Sequence, residues 1–185
     1  CGFGVYAQRN QKDFVIRLRT SSGVIALDQL KKIYEWANKY EVEYLHFTTR
    51  QSIQYHGLTI DDTCSLMEEA LNYNIFTRGA GGNYPRNVAL SPLSGVDKNE
   101  AFDVTQYAIA CDNYFMKRIT SYKLPRKIKV AFSNSEEDTA CCTVQDLGFM
   151  AVNNEGKKCF RVYVGGGLGR NPKKSVSLSR INRCK

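Results

Sequence analysis

Apolar and polar residues alternate at the start of the chain, with Phe14, Ile16 and Leu18 on one side and Val15, Arg17 and Arg19 on the other, and this period of two predicts a strand. Ser21-Ser22-Gly23 predicts a turn. From Leu27 to Tyr40, Leu27, Leu30, Ile33, Ala37 and Tyr40 recur at helical spacing, with Asp28 near the start. Leu45, Phe47 and Thr49 alternate again, and Ile53 and Tyr55 continue after a short break. A second helix is predicted from about Asp62 to Tyr73, with Leu66, Met67, Ala70 and Leu71 on one face. The order β-α-β-β-α over residues 1–75 fits a small ferredoxin-like unit of α+β class.

The pattern changes after residue 76. Residues 77–95 are rich in Gly, Asn, Pro and Ser and read as a long ordered loop, a kind of segment that is usually functional or disordered. A helix is predicted from about Asn99 to Ile119, with Phe102, Ala108, Cys111 and Phe115 near one side. Arg126–Phe132 reads as a strand, and Phe149–Val152 and Cys159–Val164 as a hairpin around Asn153-Asn154-Glu155-Gly156. The tail from Arg170 is basic and has no periodic apolar face, so residues 170–185 are expected to carry no packed structure. A second, mixed α/β domain is therefore expected over 76–185.

Charge and chemistry sharpen this picture. The net charge is +8, and it is concentrated after residue 75, where 18 Lys and Arg face 9 Asp and Glu. That asymmetry points to an anionic partner, although a solvated basic surface explains charge alone more simply. Alternation places Arg17 and Arg19 opposite Ile16 and Leu18. It places His46, Thr48 and Arg50 opposite Leu45 and Phe47, and Gln54 and His56 opposite Ile53 and Tyr55. Lys127 and Lys129 repeat the arrangement opposite Ile128 and Val130. If the apolar faces pack on helices, the other face holds donors and cations without a carboxylate, which suits an anion. With four strands sharing the bias, that reading stands level with an ordinary solvent-facing sheet.

Seven cysteines include no C-x-x-C, and the odd count argues against a disulfide framework. Cys64 and Cys111 fall within amphipathic patterns and are expected to be small core residues. No apolar run is long enough to span a membrane and no charged-then-apolar leader opens the chain, so a soluble, cytoplasmic protein is expected. Gly165-Gly166-Gly167 after a strand lets backbone pass close to a flat or charged ligand, but it lacks the G-x-G-x-x-G form of a dinucleotide fold. Gly81–Asn87 is likewise no phosphate loop.

Four segments in order resemble the siroheme-dependent sulfite and nitrite reductases. Thr48–Gly57 resembles that family's T-x-R-Q-x-x-Q-x-H segment, and Arg86-Asn87-Val88 with Ser91-Pro92 its R-N-V segment. Leu124–Lys129 resembles its L-P-R-K-x-K strand, and Val164–Gly169 its V-G-G-G-L loop. Gly4–Arg9 with Phe14–Arg19 is similar to the start of its ferredoxin-like half-domain, and the resemblance runs from about residue 4 to 169.

The resemblance implies a six-electron oxidoreductase taking sulfite to sulfide or nitrite to ammonia, with residues 76–185 part of its siroheme-binding domain. It implies Arg17, Arg86, Lys127 and Lys129 as substrate-binding cations, since fixed cations stabilise a bound oxyanion. Thr48, Arg50, Gln54 and His56 correspond to residues that contact siroheme or its carboxylates, joined by Asn87, Arg126 and the Gly165, Gly166 and Gly167 backbone. His46 stands where some members carry Arg. The family also binds a [4Fe–4S] cluster through C-x5-C and C-x3-C pairs; neither pair occurs here. An electron donor (ferredoxin or a reductase subunit) and a C-terminal half beyond this stretch are implied partners, and this chain alone is expected to be inactive. Ser175–Lys185 is read as departing from the family's continuation, with a truncation or altered reading frame as the expected cause. The competing reading is a non-enzymatic basic module binding nucleic acid. RNA-binding sheets stack bases on exposed aromatics, whereas alternation puts Phe14, Phe47 and Tyr55 on the helix-packed face, which favours the reductase.

Overall fold

The computed structural model describes residues 2–178 and 182–183, so Cys1, Cys184 and the tail positions 179–181 and 185 lie outside the described residues. The chain divides into two units, Cys1–Asn87 with Arg118–Lys127, and Val88–Lys117 with Ile128–Lys185. The loop through Asn87 and the segment 118–127 pack with the first sheet.

In the first unit, β1 (Val5–Ala7), β2 (Phe14–Leu18), β3 (Leu45–Phe47) and β4 (Ile53–Leu58) form an antiparallel sheet in the order β1-β2-β4-β3. Helices α1 (Leu27–Lys39) and α2 (Ile60–Leu71) cover one face. The β2-α1-β3-β4-α2 order matches the expected half-domain, with β1 added at the β2 edge. The core is built as alternation predicted: Ile16, Leu18, Ile53, Tyr55 and Leu58 pack against Ile33, Trp36, Leu66 and Ala70. Thr59 caps α2, its hydroxyl accepting from the Asp62 N–H at 3.1 Å while Asp62 Oδ2 accepts from the Thr59 N–H at 3.2 Å, so the helix begins at Ile60.

Periodicity over-reached at the helix ends. Leu27 and Leu30 are exposed, because the buried stripe of α1 is centred on Ile33 and Trp36; Leu71 of α2 is exposed too. Phe47, expected under the helices, is 64% exposed at the end of the edge strand β3. Cys64 is exposed, whereas Cys142 and Cys159 are the buried thiols; Cys111 packs at the margin of the second core.

Glu69 ties α2 to α1. Its carboxylate accepts from Trp36 Nε1 at 2.8 Å, from Lys39 Nζ, and from the Tyr40 hydroxyl at 3.3 Å. Lys39 first, and Trp36 after it, hold the Glu69 carboxyl below the usual range. A lowered folded-state pKa means that this contribution is present above the ordinary carboxylate range and lost as pH falls through the folded value. Thermal melts of the wild type and Glu69→Gln should thus differ near neutrality and converge as the pH falls below the ordinary carboxylate range. A constant gap across that range would show that the Glu69 charge contributes nothing.

The second unit is a sheet in which β5 (Ala89–Leu90), β6 (Val130–Ser133) and β7 (Leu147–Asn154) run parallel, and β8 (Lys157–Val164) returns antiparallel to β7. All four residues of β6 are buried, as a parallel strand covered on both faces requires. Phe132 stacks on Phe149 with centroids 4.6 Å apart, and Phe160 meets both edge-on. Helix α3 (Thr105–Lys117) contributes Ala108 to this core.

Several boundaries differ from the sequence reading. The loop at 77–95 contains β5. Helix α3 starts at Thr105 rather than near Asn99, because Asp103 Oδ1 accepts from the Thr105 N–H at 2.9 Å and from Ser94 Oγ at 2.9 Å, holding the preceding chain in a turn. The strand expected from Arg126 begins at Val130, which leaves Lys127 and Lys129 ahead of it. The β7–β8 loop is only Glu155-Gly156, at φ 52° and 75°, the two positive values that a type I′ hairpin needs.

Two short strands lie among the described residues of the tail. β9 (Val176–Ser177) and β10 (Asn182–Arg183) pair with the free edge of β8, and the Leu178 N–H donates to the Val162 carbonyl at 2.8 Å. An open strand edge satisfies its backbone with any extended segment, so no apolar pattern is needed in the partner. Among the described residues no helix is long and apolar enough to cross a membrane.

Candidate functional site

The face of the first sheet opposite the helices carries the polar set. Register places Arg17 directly opposite Gln54, and Gln54 opposite His46, so three strands contribute one row. On the other face the same register stacks Ile16, Tyr55 and Leu45 into the core.

Arg17 is held on three sides. In the amide orientation that satisfies both groups, Gln54 Oε1 accepts from Arg17 Nη2 at 2.6 Å and from Nε at 2.9 Å. Arg17 Nη1 donates to the Ala80 carbonyl at 2.9 Å, and the Tyr6 ring lies 5.3 Å from the guanidinium carbon. Arg86 donates from Nη1 to the same Ala80 carbonyl and from Nη2 to the Gly82 carbonyl at 3.1 Å. Two guanidinium groups thus share one carbonyl. Burial is the main cause pushing Arg17 below the usual arginine range; Tyr6 opposes the shift and the Arg86 charge reinforces it. The Nε of Arg86 is buried and has no hydrogen-bond partner among the described residues.

His56 lies beside this pair. Its ring packs against Tyr44 at 5.3 Å and His46 at 6.2 Å between centroids. Burial, then the His46 and Arg17 charges, push His56 below the ordinary histidine range, so it is neutral near neutral pH. Its Nε2 is buried and has no partner among the described residues.

The other expected site residues divide into three groups. Thr48, Arg50 and Asn87 build the support. Thr48 Oγ1 accepts from the Ser52 N–H at 3.0 Å and closes the β3–β4 turn, in which Gln51 takes φ 56°. Arg50 Nη2 donates to the Asn87 carbonyl at 2.6 Å, and Asn87 Nδ2 donates to Thr20 Oγ1 at 3.1 Å. Asn87 is only 1% exposed, its Oδ1 without a partner among the described residues. Arg19, 4% exposed, donates from Nη1 to the Pro85 carbonyl at 2.8 Å and from Nη2 to the Arg86 carbonyl at 3.2 Å, fixing the backbone that carries Arg86. Second, Arg126 is exposed and Lys127 half-buried in the first unit, whereas Lys129 belongs to the second, its N–H donating to Asp146 Oδ2 at 2.7 Å.

Third, the glycine loop uses its own donors. The N–H groups of Gly165, Gly166 and Gly167 go to the carbonyls of Asp146, Gln145 and Lys173 at 2.9 Å each. It is therefore no anion nest. A Cβ at Gly165 or Gly167 would meet nothing within 4 Å, which leaves low backbone that a flat group can approach. At Gly166 a Cβ would lie 2.7 Å from the Gln145 carbonyl oxygen, so that glycine is required by packing alone.

Sequence reasoning passed over Tyr6 and Gln8, which touch Arg17 and His56. Their alternation with Val5 and Ala7 carried the signal, in a strand of only three residues.

Fold and face together define a ferredoxin-like half-domain presenting cations, followed by a second α/β unit. The chain belongs to the nitrite and sulfite reductase family: residues 6–73 match the nitrite/sulfite reductase ferredoxin-like half domain, and residues 81–182 the nitrite and sulphite reductase 4Fe-4S domain. It is 30% identical to the assimilatory ferredoxin-dependent nitrite reductase of Haloferax mediterranei over 95% of this chain and 33% of that protein. It is 29% identical to the sulfite reductase [NADPH] hemoprotein beta-component of Nitrobacter winogradskyi over 97% of this chain and 38% of the relative. The structure of the Mycobacterium tuberculosis NirA protein superposes with a TM-score of 0.82 at 23% identity, over 98% of this chain and 36% of that one, a likeness of fold. The chain spans about a third of the length of these curated relatives. The family match runs through residue 182, so residues 175–182, expected to depart from the family, lie inside it.

Proposed function

We propose that this chain supplies part of the siroheme and substrate pocket of a nitrite or sulfite reductase. The observation that carries this reading is the convergence of Arg17 and Arg86 on one carbonyl, with His56 and His46 beside them and no carboxylate among the groups acting on Arg17 or His56. Folding brings like charges together at a cost, and an anion of the right shape offsets it. Siroheme, ringed with carboxylates, would supply such an anion; when bound it supplies the iron at which the oxyanion is reduced.

The chain's own residues hold and orient. Arg86 Nε and His56 Nε2 are buried nitrogens suited to acceptor oxygens of a carboxylate or oxyanion. The family resemblance alone assigns Lys127 and, in the second unit, Lys129 ammonium groups of a kind able to hold an oxyanion and pass protons to it through water. Thr48, Arg50 and Asn87 keep the β3–β4 turn and the Arg86 loop in register; in the second unit, taken by itself, Gly165 and Gly167 leave low backbone that a flat group can approach. The iron–sulfur cluster does not fit the residues present: among the described residues no group of three or more His, Cys, Asp and Glu could hold a metal. We assign it no ligand here. The electron donor would be a ferredoxin or a reductase subunit, as the names of the relatives suggest.

Titration of the purified chain with siroheme should shift the Soret absorption, and competing RNA should not reverse it. No shift, together with salt-sensitive RNA binding, would overturn the reading in favour of a nucleic-acid module.

A further inference from the structure

We infer that Gln8 sets the tautomer of His56 and so presents its Nε2–H as a fixed donor. This positioning role rests on the anion-holding reading of the face. Gln8 follows β1, and its backbone is clamped: its N–H donates to the Asp13 carbonyl at 2.8 Å and its carbonyl accepts from the Gln11 N–H at 3.0 Å. From that anchored position its side chain reaches toward β4, placing Nε2 3.3 Å from His56 Nδ1.

With the amide nitrogen facing the ring, as here, Nδ1 accepts, and the single proton of a neutral imidazole goes to Nε2. That nitrogen is buried and has no partner among the described residues. A second proton on the ring is opposed first by burial, then by the charges of His46 and Arg17, and the Tyr44 ring lies tilted against it at 5.3 Å between centroids. The arrangement therefore selects among ligands. A carboxylate or oxyanion oxygen finds a donor at Nε2. A metal cation finds no lone pair there, because the remaining lone pair, at Nδ1, is occupied by Gln8. Without Gln8 the imidazole would be free to place its proton on either nitrogen, and the donor would be presented only part of the time.

The chain contains only two histidines, which makes the test direct. A long-range nitrogen–proton spectrum of the full 185-residue chain at about pH 8, where an ordinary histidine is neutral, reports each ring nitrogen, and His46→Gln assigns the signals. In the wild type, His56 Nδ1 should resonate as the pyridine-type nitrogen and Nε2 as the pyrrole type. Gln8→Leu should move both signals toward a tautomer average. Gln8→Glu, of the same shape but accepting only, should exchange them. A pyrrole-type Nδ1 in the wild type, or an unchanged pattern in Gln8→Glu, would overturn the assignment. Should Gln8→Leu disturb the fold, Gln8→Glu carries the test by itself. No siroheme is present in this measurement, so its failure and the failure of the absorption titration are separate events.

Discussion

If the proposed siroheme reading holds, replacing Arg17 with Met should raise the siroheme concentration needed for half-saturation by about tenfold to a hundredfold, the weight of one hydrogen bond to a charged group. The substitution also lowers stability, for a reason unrelated to the ligand. Gln54, 8% exposed, gives its Oε1 to the Arg17 guanidinium, and without that partner a buried acceptor is left unsatisfied at a cost of about 1–3 kcal/mol. Relief of the repulsion between Arg17 and Arg86 offsets part of this. The double variant Arg17→Met/Gln54→Leu separates the two effects. With both partners apolar the desolvation penalty disappears and the melting temperature recovers, while siroheme binding stays weak. Recovery of binding along with stability would show that the Arg17 charge is not what the ligand reads.

Trp36→Ala should produce the largest loss of stability, about 3–5 kcal/mol. Trp36 is 1% exposed, sits between the sheet and α2, and meets Tyr73 edge-on with centroids 5.8 Å apart. Trp36→Phe keeps much of that packing and loses the bond from Nε1 to Glu69, which retains Lys39 and Tyr40, so it should cost only about 1 kcal/mol. Denaturant unfolding followed by far-ultraviolet circular dichroism checks both variants. Equal losses would place the importance of Trp36 in its indole N–H rather than in its volume.

The elements most readable in the sequence were those with several turns or alternations of apolar residues. Strand β2, helix α1, the β3–β4 pair and helix α2 all fall where period two or period 3.6 placed them, and Arg17, Gln54 and His56 lie on the face that alternation assigned. Less readable were short elements held by backbone bonds. β5 has two residues, and β9 and β10 attach to β8 through hydrogen bonds that leave no mark on side-chain pattern. The same limit applies to Lys127 and Lys129: alternation continued through them, whereas β6 starts three residues after Lys127 and is buried on both faces.

Residue order by itself determined which side chains could share a face, because a strand's alternation and a helix's turn are local geometry. It also carried the four motifs that point to the reductase family. Only the tertiary structure decided which cations meet. Arg17 and Arg86 are far apart in sequence, and their common partner is the Ala80 carbonyl, a backbone atom that no residue pattern records. Likewise Gln8 and His56 come together across the sheet because register, set by whole strands packing on a core, fixes long-range neighbours that neither segment specifies alone.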